Sequence, residues 1–262
     1  MAKLHGFLPT TRDEMNAAGI SQLDFILITG DAYVDHPSFG TAIISRVIEA
    51  EGFTVGIISQ PDWRNDHDYT RLGRPKYGFM INSGNIDSMV PHYSVPLSRR
   101  NYDAYTAGGQ AGHRPDRALT VYAKAIRRIY GPDMPVVIGG LEASLRRVAH
   151  YDYWADAVHP SILADTGADL LSFGMGELQT IEIVHRLAAG EDIRQMRDIR
   201  GTCYLCPPEE TPWGAVQCPD FEVVARDKKN YAKATRLQMD NQDEVTGRTL
   251  IQRHGDKMLV QN

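Results

Sequence analysis

Residues 24–59 read DFILITGDAYVDHPSFGTAIISRVIEAEGFTVGIIS. The stretch begins and ends with apolar runs, at 24–29 and 53–59, which are typical of buried strands. Between them, residues 38–50 place apolar side chains at helical spacing, and Gly52 follows as a stop signal. A strand, a helix and a strand in this order form a βαβ unit, which predicts that the two strands pair in parallel.

The same alternation continues along the chain. Apolar runs predict further strands at 77–81, 134–138 and 169–173, and helical patterns cover 115–130, 143–148 and 177–189. We therefore expect an α/β fold with a doubly wound, mostly parallel Rossmann-like sheet. A long irregular insertion at 82–114 interrupts the pattern, and loops of that length are usually functional or disordered.

The pattern weakens after Gly201, where only 202–205 resembles a short strand. The last forty residues include ARDKKNYAKATRLQMDNQDE, which is highly charged and has no strong apolar face. We therefore predict a Rossmann-like α/β domain over residues 1–222 and a charged linker or docking tail over 223–262.

Composition narrows the class of protein. The 262 residues are 42% hydrophobic and carry a formal net charge of -5, so the basic excess of a nucleic-acid-binding protein is missing. No apolar run approaches the roughly 20 residues that span a bilayer, and the first residues lack the apolar centre of a signal peptide. We expect a cytoplasmic protein that binds neither membrane nor nucleic acid and keeps its three cysteines reduced.

Four glycine-containing loops follow the predicted strands: GDAYVDHPSFG, NSGN, GGLEAS and GMGE. In a doubly wound sheet such loops meet at the carboxyl edge, where ligands bind. Glycine there permits tight turns, and it also lets a flat or phosphorylated ligand approach backbone N–H groups. The candidate ligand-binding residues are Asp31, His36, Asn82, Gly139, Gly140, Gly174 and Glu177. The alternative stays open that the glycines only form turns, that His36 caps a turn, and that Glu177 complements a helix dipole.

Sharper motifs are missing or incomplete. GxxxxGK[ST] does not occur, and GMG at 174–176 lacks the third glycine of the dinucleotide fingerprint, which disfavours nucleotide triphosphatases and ordinary dehydrogenases. Cys203 and Cys206 form a CxxC pair, with Cys218 as a possible third ligand, but tetrahedral zinc takes four. Structural cysteines are the favoured interpretation. The arginine pairs at 99–100 and 146–147 fit salt bridges better than an anionic cofactor.

Long stretches of the chain also resemble one family. GDAYVDHPSFGTAIISRVIEAEGFTVGIISQPDW, SGNIDSMV, VVIGGLEASLRRVAHYDYW and GADLLSFGMGE are similar to the N-terminal domain of YgiQ-like radical SAM proteins. The resemblance implies a full-length enzyme that cleaves S-adenosylmethionine (SAM) reductively with a [4Fe-4S] cluster held by a CxxxCxxC triad. This chain has no such triad. We expect the triad in a barrel domain downstream of Asn262, present in cis or in trans. The substrate is unknown, the chain alone is expected to be inactive, and no cofactor is expected in it.

A more distant resemblance links the loop order to the cobalamin-binding domains of radical SAM enzymes. Their Asp-x-His-x-x-Gly motif would require Asp at Val34 and Gly at Phe39, so His36 is a poor axial ligand. The resemblance therefore favours cobalamin bound without a protein histidine, or no cobalamin. Two other functions stay open, a stand-alone Rossmann-like ligand-binding or protein-interaction module and a zinc or thiol-redox protein.

Overall fold

A nine-stranded sheet forms the centre of the molecule in the computed structural model, which describes residues 6–243 and 246–262. Its strands are β1 Phe25–Thr29, β2 Val55–Ser59, β3 Gly78–Ile81, β4 Val136–Ile138, β7 Leu170–Ser172, β8 Thr202–Cys206, β9 Val216–Gln217, β10 Leu250–His254 and β11 Lys257–Gln261. A separate hairpin consists of β5 His150–Asp152 and β6 Ala157–His159.

Ten α-helices lie in the described residues. They are α1 Arg12–Ala17, α2 Gly40–Ala50, α3 His67–Thr70, α4 Met89–His92, α5 Ala118–Tyr130, α6 Gly140–Leu145, α7 Ile162–Thr166, α8 Glu177–Ala188, α9 Phe221–Val224 and α10 Lys228–Asp240. The helix predicted at 115–130 starts only at Ala118, because Arg117 adopts a left-handed conformation with φ 50°. The helix predicted at 143–148 lies three residues earlier, since the chain turns into α6 directly at Gly140 (φ 82°).

The strand order is β2-β1-β3-β4-β7-β8-β11-β10-β9. The first five strands are mutually parallel, whereas β8 and β11 each pair antiparallel with both of their neighbours. The strands that follow β1 in the chain lie on opposite sides of it, which makes the gap between β1 and β3 the topological switch point. The predicted α/β, mostly parallel sheet is confirmed.

Apolar layers cover both faces of the sheet because successive strand residues point to opposite sides. Ile26 and Ile28 pack in the layer that contains α5, and Phe25 and Leu27 pack in the layer that contains α2 and α8. The sheet is therefore doubly wound, with helices on each face.

The C-terminal segment differs from the predicted charged tail. After α9 and α10, strands β10 and β11 join the sheet, and Met258, Leu259 and Val260 are buried. Residues 250–261 are thus part of the domain, and the predicted boundary at 222 does not mark the end of the sheet. The cause is physical: β11 covers the edge of β8, which a linker would leave unpaired.

The insertion at 82–114 is ordered by buried charge. Arg114 is fully buried and donates to the backbone carbonyl of Ser83 and to the carboxylate of Asp103. These bonds fix the end of the insertion against the loop that follows β3. Among the described residues, no helix combines the length and apolar character needed to cross a membrane.

Candidate functional site

A cleft of about 180 Å³ opens at the carboxyl edge of the parallel strands, beside the switch point. Leu27, Met80 and Val137 of β1, β3 and β4 form its apolar floor, and the N-terminal turns of α2 and α8 form its sides. Because several of the loop positions along it are glycine, the backbone itself lines much of the opening. The cleft therefore lies where doubly wound sheets bind their ligands.

Five of the seven predicted site residues line this cleft: Asn82, Gly139, Gly140, Gly174 and Glu177. Asp31 and His36 do not. Both lie in the loop between β1 and α2, which also leaves the carboxyl edge, but neither lines the cleft.

Asn82 organises the cleft wall through its own hydrogen bonds. Its Oδ1 accepts from Thr29 Oγ1 at 2.9 Å and from the backbone N–H of Gly84 at 2.8 Å, and its Nδ2 donates to Thr41 Oγ1 at 3.1 Å. The side chain thereby joins β1, β3 and α2, and its hydrogen-bonding capacity is largely used within the protein.

Ser172 is a cleft residue that was not predicted from the sequence. It ends β7, and its Oγ is buried without a hydrogen-bond partner among the described residues. A Cβ at Gly176 would lie 3.0 Å from this oxygen, so glycine keeps the space beside it open. Buried hydroxyls are normally paired, and an unpaired one that lines a cleft is available to a ligand. A polar residue at the end of an otherwise apolar strand was the signal that could have identified it.

Helices α2 and α8 both begin at the cleft, and their N-cap residues, Phe39 and Gly176, provide no side-chain cap. The first turn of each helix leaves backbone N–H groups without intrahelical acceptors. Glu177 occupies the first turn of α8, where its carboxylate complements the helix dipole. The cleft thus combines an apolar floor with backbone donors, the unpaired Ser172 hydroxyl and the Glu177 carboxylate.

The Asp31 side chain contacts the insertion at 82–114 and not the cleft. Its Oδ2 accepts from the backbone N–H of Asn85 at 2.7 Å, and its Oδ1 lies 3.0 Å from Arg114 Nη1 without hydrogen-bond alignment. Burial raises the pKa of this carboxyl to about 6, and the nearby Arg114 charge only partly opposes that effect.

His36 is exposed, and its Nδ1 accepts from the backbone N–H of Ser38 at 3.1 Å, which matches the turn-capping alternative. Its neighbour Asp35 does not cap α2 and instead forms an ion pair with Arg46.

The cysteines do not assemble a metal site. Cys203 and Cys206 are three residues apart on β8, so they point into opposite apolar layers. Burial raises the pKa of Cys203 to about 12 and that of Cys218 to about 11, which disfavours the thiolate that metals bind. No group of three metal-binding side chains occurs in residues 6–243 and 246–262, so the described donors do not fit an iron–sulfur cluster.

The predicted salt bridges account for Arg146, which contacts Asp87 Oδ2 at 2.8 Å and Asp152 Oδ2 at 3.2 Å. Arg147 instead donates to Gln261 Oε1 and the backbone carbonyl of Ser144. These contacts connect α6 to the insertion, the β5–β6 hairpin and β11.

Residues 7–262 match the Radical SAM N-terminal family. The chain belongs to this family. It is 50% identical over 256 residues to a UPF0313 protein of Clostridium botulinum and 51% identical over 257 residues to one of Clostridium perfringens. Each match covers 98% of this chain but only 40% and 39% of the relative, so the chain corresponds to an N-terminal portion of these longer proteins.

Part of the chain is also similar to a solved structure. That structure is the radical S-adenosylmethionine methyltransferase TsrM from Kitasatospora setae, with cobalamin and a [4Fe-4S] cluster bound. The TM-score is 0.44 at 20% identity, over 70% of this chain and 27% of the other.

Proposed function

We propose that this chain is the ligand-enclosing N-terminal domain of a cytoplasmic radical SAM enzyme whose catalytic part lies in the remainder of a longer polypeptide. The chain spans about two fifths of the length of its curated relatives, and the donors for a cluster are missing from its described residues. In the proposed enzyme, the [4Fe-4S] cluster and SAM belong to the remaining part.

The position of the cleft carries the proposal. Strand β11 pairs antiparallel with β8, which pairs antiparallel with β7, so β11 runs in the same direction as the parallel strands. Its end lies at the carboxyl edge, where the backbone N–H of Asn262 donates to the carbonyl of Thr202 at 2.9 Å. A polypeptide that continues from β11 therefore emerges at the edge that holds the cleft.

In this proposal, different cleft residues make different kinds of contact with the ligand. Leu27, Met80 and Val137 would contact an apolar part of the ligand, while Ser172 Oγ and the Glu177 carboxylate would hydrogen-bond to its hydroxyl or amino groups. No cation pairs with the Glu177 carboxylate within residues 6–243 and 246–262, which disfavours an anionic group beside it. The glycines at 139, 140 and 174 would let the ligand approach the backbone.

The enzyme half of the proposal is tested with the protein purified anaerobically from its own cells. Iron and sulfide analysis and the reductive cleavage of SAM are expected to be positive for that protein and negative for residues 1–262 alone. A native product of 29.2 kDa without iron would contradict the proposal and favour a stand-alone binding module.

The cleft half is tested by the rate of SAM cleavage with and without a small-molecule extract of the same cells. We expect the extract to stimulate cleavage, because it supplies the ligand, and Ser172→Ala and Glu177→Gln to reduce that stimulation severalfold. His36→Ala, which lies outside the cleft, should respond like the wild type. Equal stimulation of all four proteins would show that the cleft does not hold the ligand.

A further inference from the structure

Four large apolar side chains are exposed on the loop before α8, on α8 and on α6, and these segments line the cleft or begin at residues that line it. Met175 and Leu178 are 84% and 80% exposed, and Leu141 and Leu145 of α6 are 45% and 57% exposed. We call these four residues the rim patch. Isolated exposed apolar residues are common, but a group of them on neighbouring segments marks an interaction surface.

The rim patch is held together by local structure. Leu141 and Leu145 are four residues apart and share one face of α6. The loop that carries Met175 is joined to α6, since the backbone N–H of Gly174 donates to Ser144 Oγ at 3.2 Å. Leu178 follows in the first turn of α8.

The rim patch adjoins the end of β11. Gln261 Oε1 accepts from Arg147 Nε at 2.9 Å, and the Arg147 guanidinium lies 5.0 Å from the ring centre of Phe173, which precedes the Met175 loop. The last residues of the sheet therefore contact the segment between α6 and β7. A chain leaving β11 starts beside the rim patch.

We infer that the rim patch is the docking surface for the domain that follows β11 in the longer polypeptide, and that this domain closes the cleft. The inference rests on the proposed function for the existence of that domain, which the length of the curated relatives supports. The surface of that domain that faces the rim patch is expected to be apolar. Charged residues opposite four exposed apolar side chains would lose hydration without gaining a partner.

Methionine oxidation tests the inference. Met175 is exposed in the isolated domain, and Met239 of α10, 61% exposed and outside the rim patch, serves as an internal reference. Peroxide oxidation of each methionine is measured by peptide mass spectrometry in residues 1–262 and in the protein purified from its own cells. We expect Met175 to oxidise severalfold more slowly in the native protein, relative to Met239. An unchanged ratio would overturn the inference.

Substitutions separate docking from folding. Leu145→Glu and Leu178→Glu in the native protein should restore fast oxidation of Met175, whereas Val223→Glu on α9, with a side chain that is also partly exposed, should not. Thermal unfolding of residues 1–262 with the same changes checks that the fold is intact. Protection of Met175 in a protein without iron would refute the proposed enzyme but keep the docking surface, and iron without protection would do the reverse.

Discussion

Asp31 shows how a single buried carboxylate can shape stability. It lies between the end of β1 and the insertion, and its charged partner Arg114 is itself fully buried. Removing a carboxylate from water costs more than this misaligned ion pair returns, which is why its pKa rises to about 6. The charged form is therefore less favourable in the folded protein than in the unfolded chain.

This raised pKa predicts a pH-dependent difference between the wild type and Asp31→Asn. The folded protein binds a proton on Asp31 more tightly than the unfolded chain does, so its contribution to stability falls as the pH rises from about 4 to about 6. Over this window we expect the free energy of unfolding of the wild type to fall by on the order of 2 kcal/mol relative to Asp31→Asn. The magnitude follows because a shift of one pKa unit corresponds to about 1.4 kcal/mol. Urea unfolding between pH 4 and 7 measures it. The control is Asp133→Asn at an exposed position, whose free energy of unfolding should follow that of the wild type across the pH range. A curve for Asp31→Asn that is parallel to that of the wild type would contradict the prediction.

The sequence located the edge that holds the site better than it located individual side chains. Asn82 and the glycines at 139, 140 and 174 line the cleft at the carboxyl edge, where the rule places them because it depends only on strand direction, and their binding of a ligand stays a prediction. The rule cannot tell which way a side chain in a loop turns. Asp31 turns toward Arg114, which lies far along the chain in an insertion with no regular pattern. Ser172 was missed because it belongs to a strand, and a shift of one residue in register reverses the side of the sheet to which each side chain points.

At the scale of elements, the turn after β1 depends on close backbone approach. A Cβ on Gly30 would lie 2.1 Å from the carbonyl oxygen of Ser83, which belongs to the loop after β3. Neither backbone can move without disturbing the pairing of β1 with β3. Glycine is therefore required where these two loops meet at the switch point.

Gly30→Ala should accordingly destabilise the domain by about 1–3 kcal/mol or more, the range of small-to-large substitutions that force a backbone shift. Gly40→Ala is the matched control, because an added methyl group meets nothing within 4 Å at the start of α2. Its unfolding free energy should stay within about 1 kcal/mol of the wild type, since alanine favours helix. Urea denaturation of both variants checks this, and similar stabilities would show that the turn can relax.

Most elements of the parallel half could be predicted because each contains a buried run or a helical stripe, and several end at a glycine. The C-terminal hairpin was missed. The charged helix α10 dominates the composition there, and β10 and β11 are short and half polar in sequence. Gly255 and Asp256, between two segments that each contain apolar residues, are a two-residue hairpin signal with Gly255 at φ 62°, and this signal could have identified the pair.

For the whole molecule, the position of β11 connects the C-terminal segment to the strands that form the cleft. It pairs with β8, and β8 pairs with β7, whose last residue is Ser172 of the cleft. The C-terminal residues and the cleft therefore belong to the same sheet, two strands apart. Loss of β11 is expected to disturb the cleft as well as the C-terminal hairpin.

Two substitutions in β11 test this unity. Val260 is fully buried opposite Tyr204 of β8, whereas Lys257 at the start of the same strand is exposed. Val260→Asp places an unpaired carboxylate in the apolar layer and should lower the free energy of unfolding by about 3 kcal/mol or more, while Lys257→Asp should change it by less than about 1 kcal/mol. Urea unfolding followed by circular dichroism gives both values. If residues 250–261 were a detached linker, the two substitutions would change the free energy of unfolding equally. The continuous sheet instead requires a large difference between the two variants, each of which unfolds in a single transition.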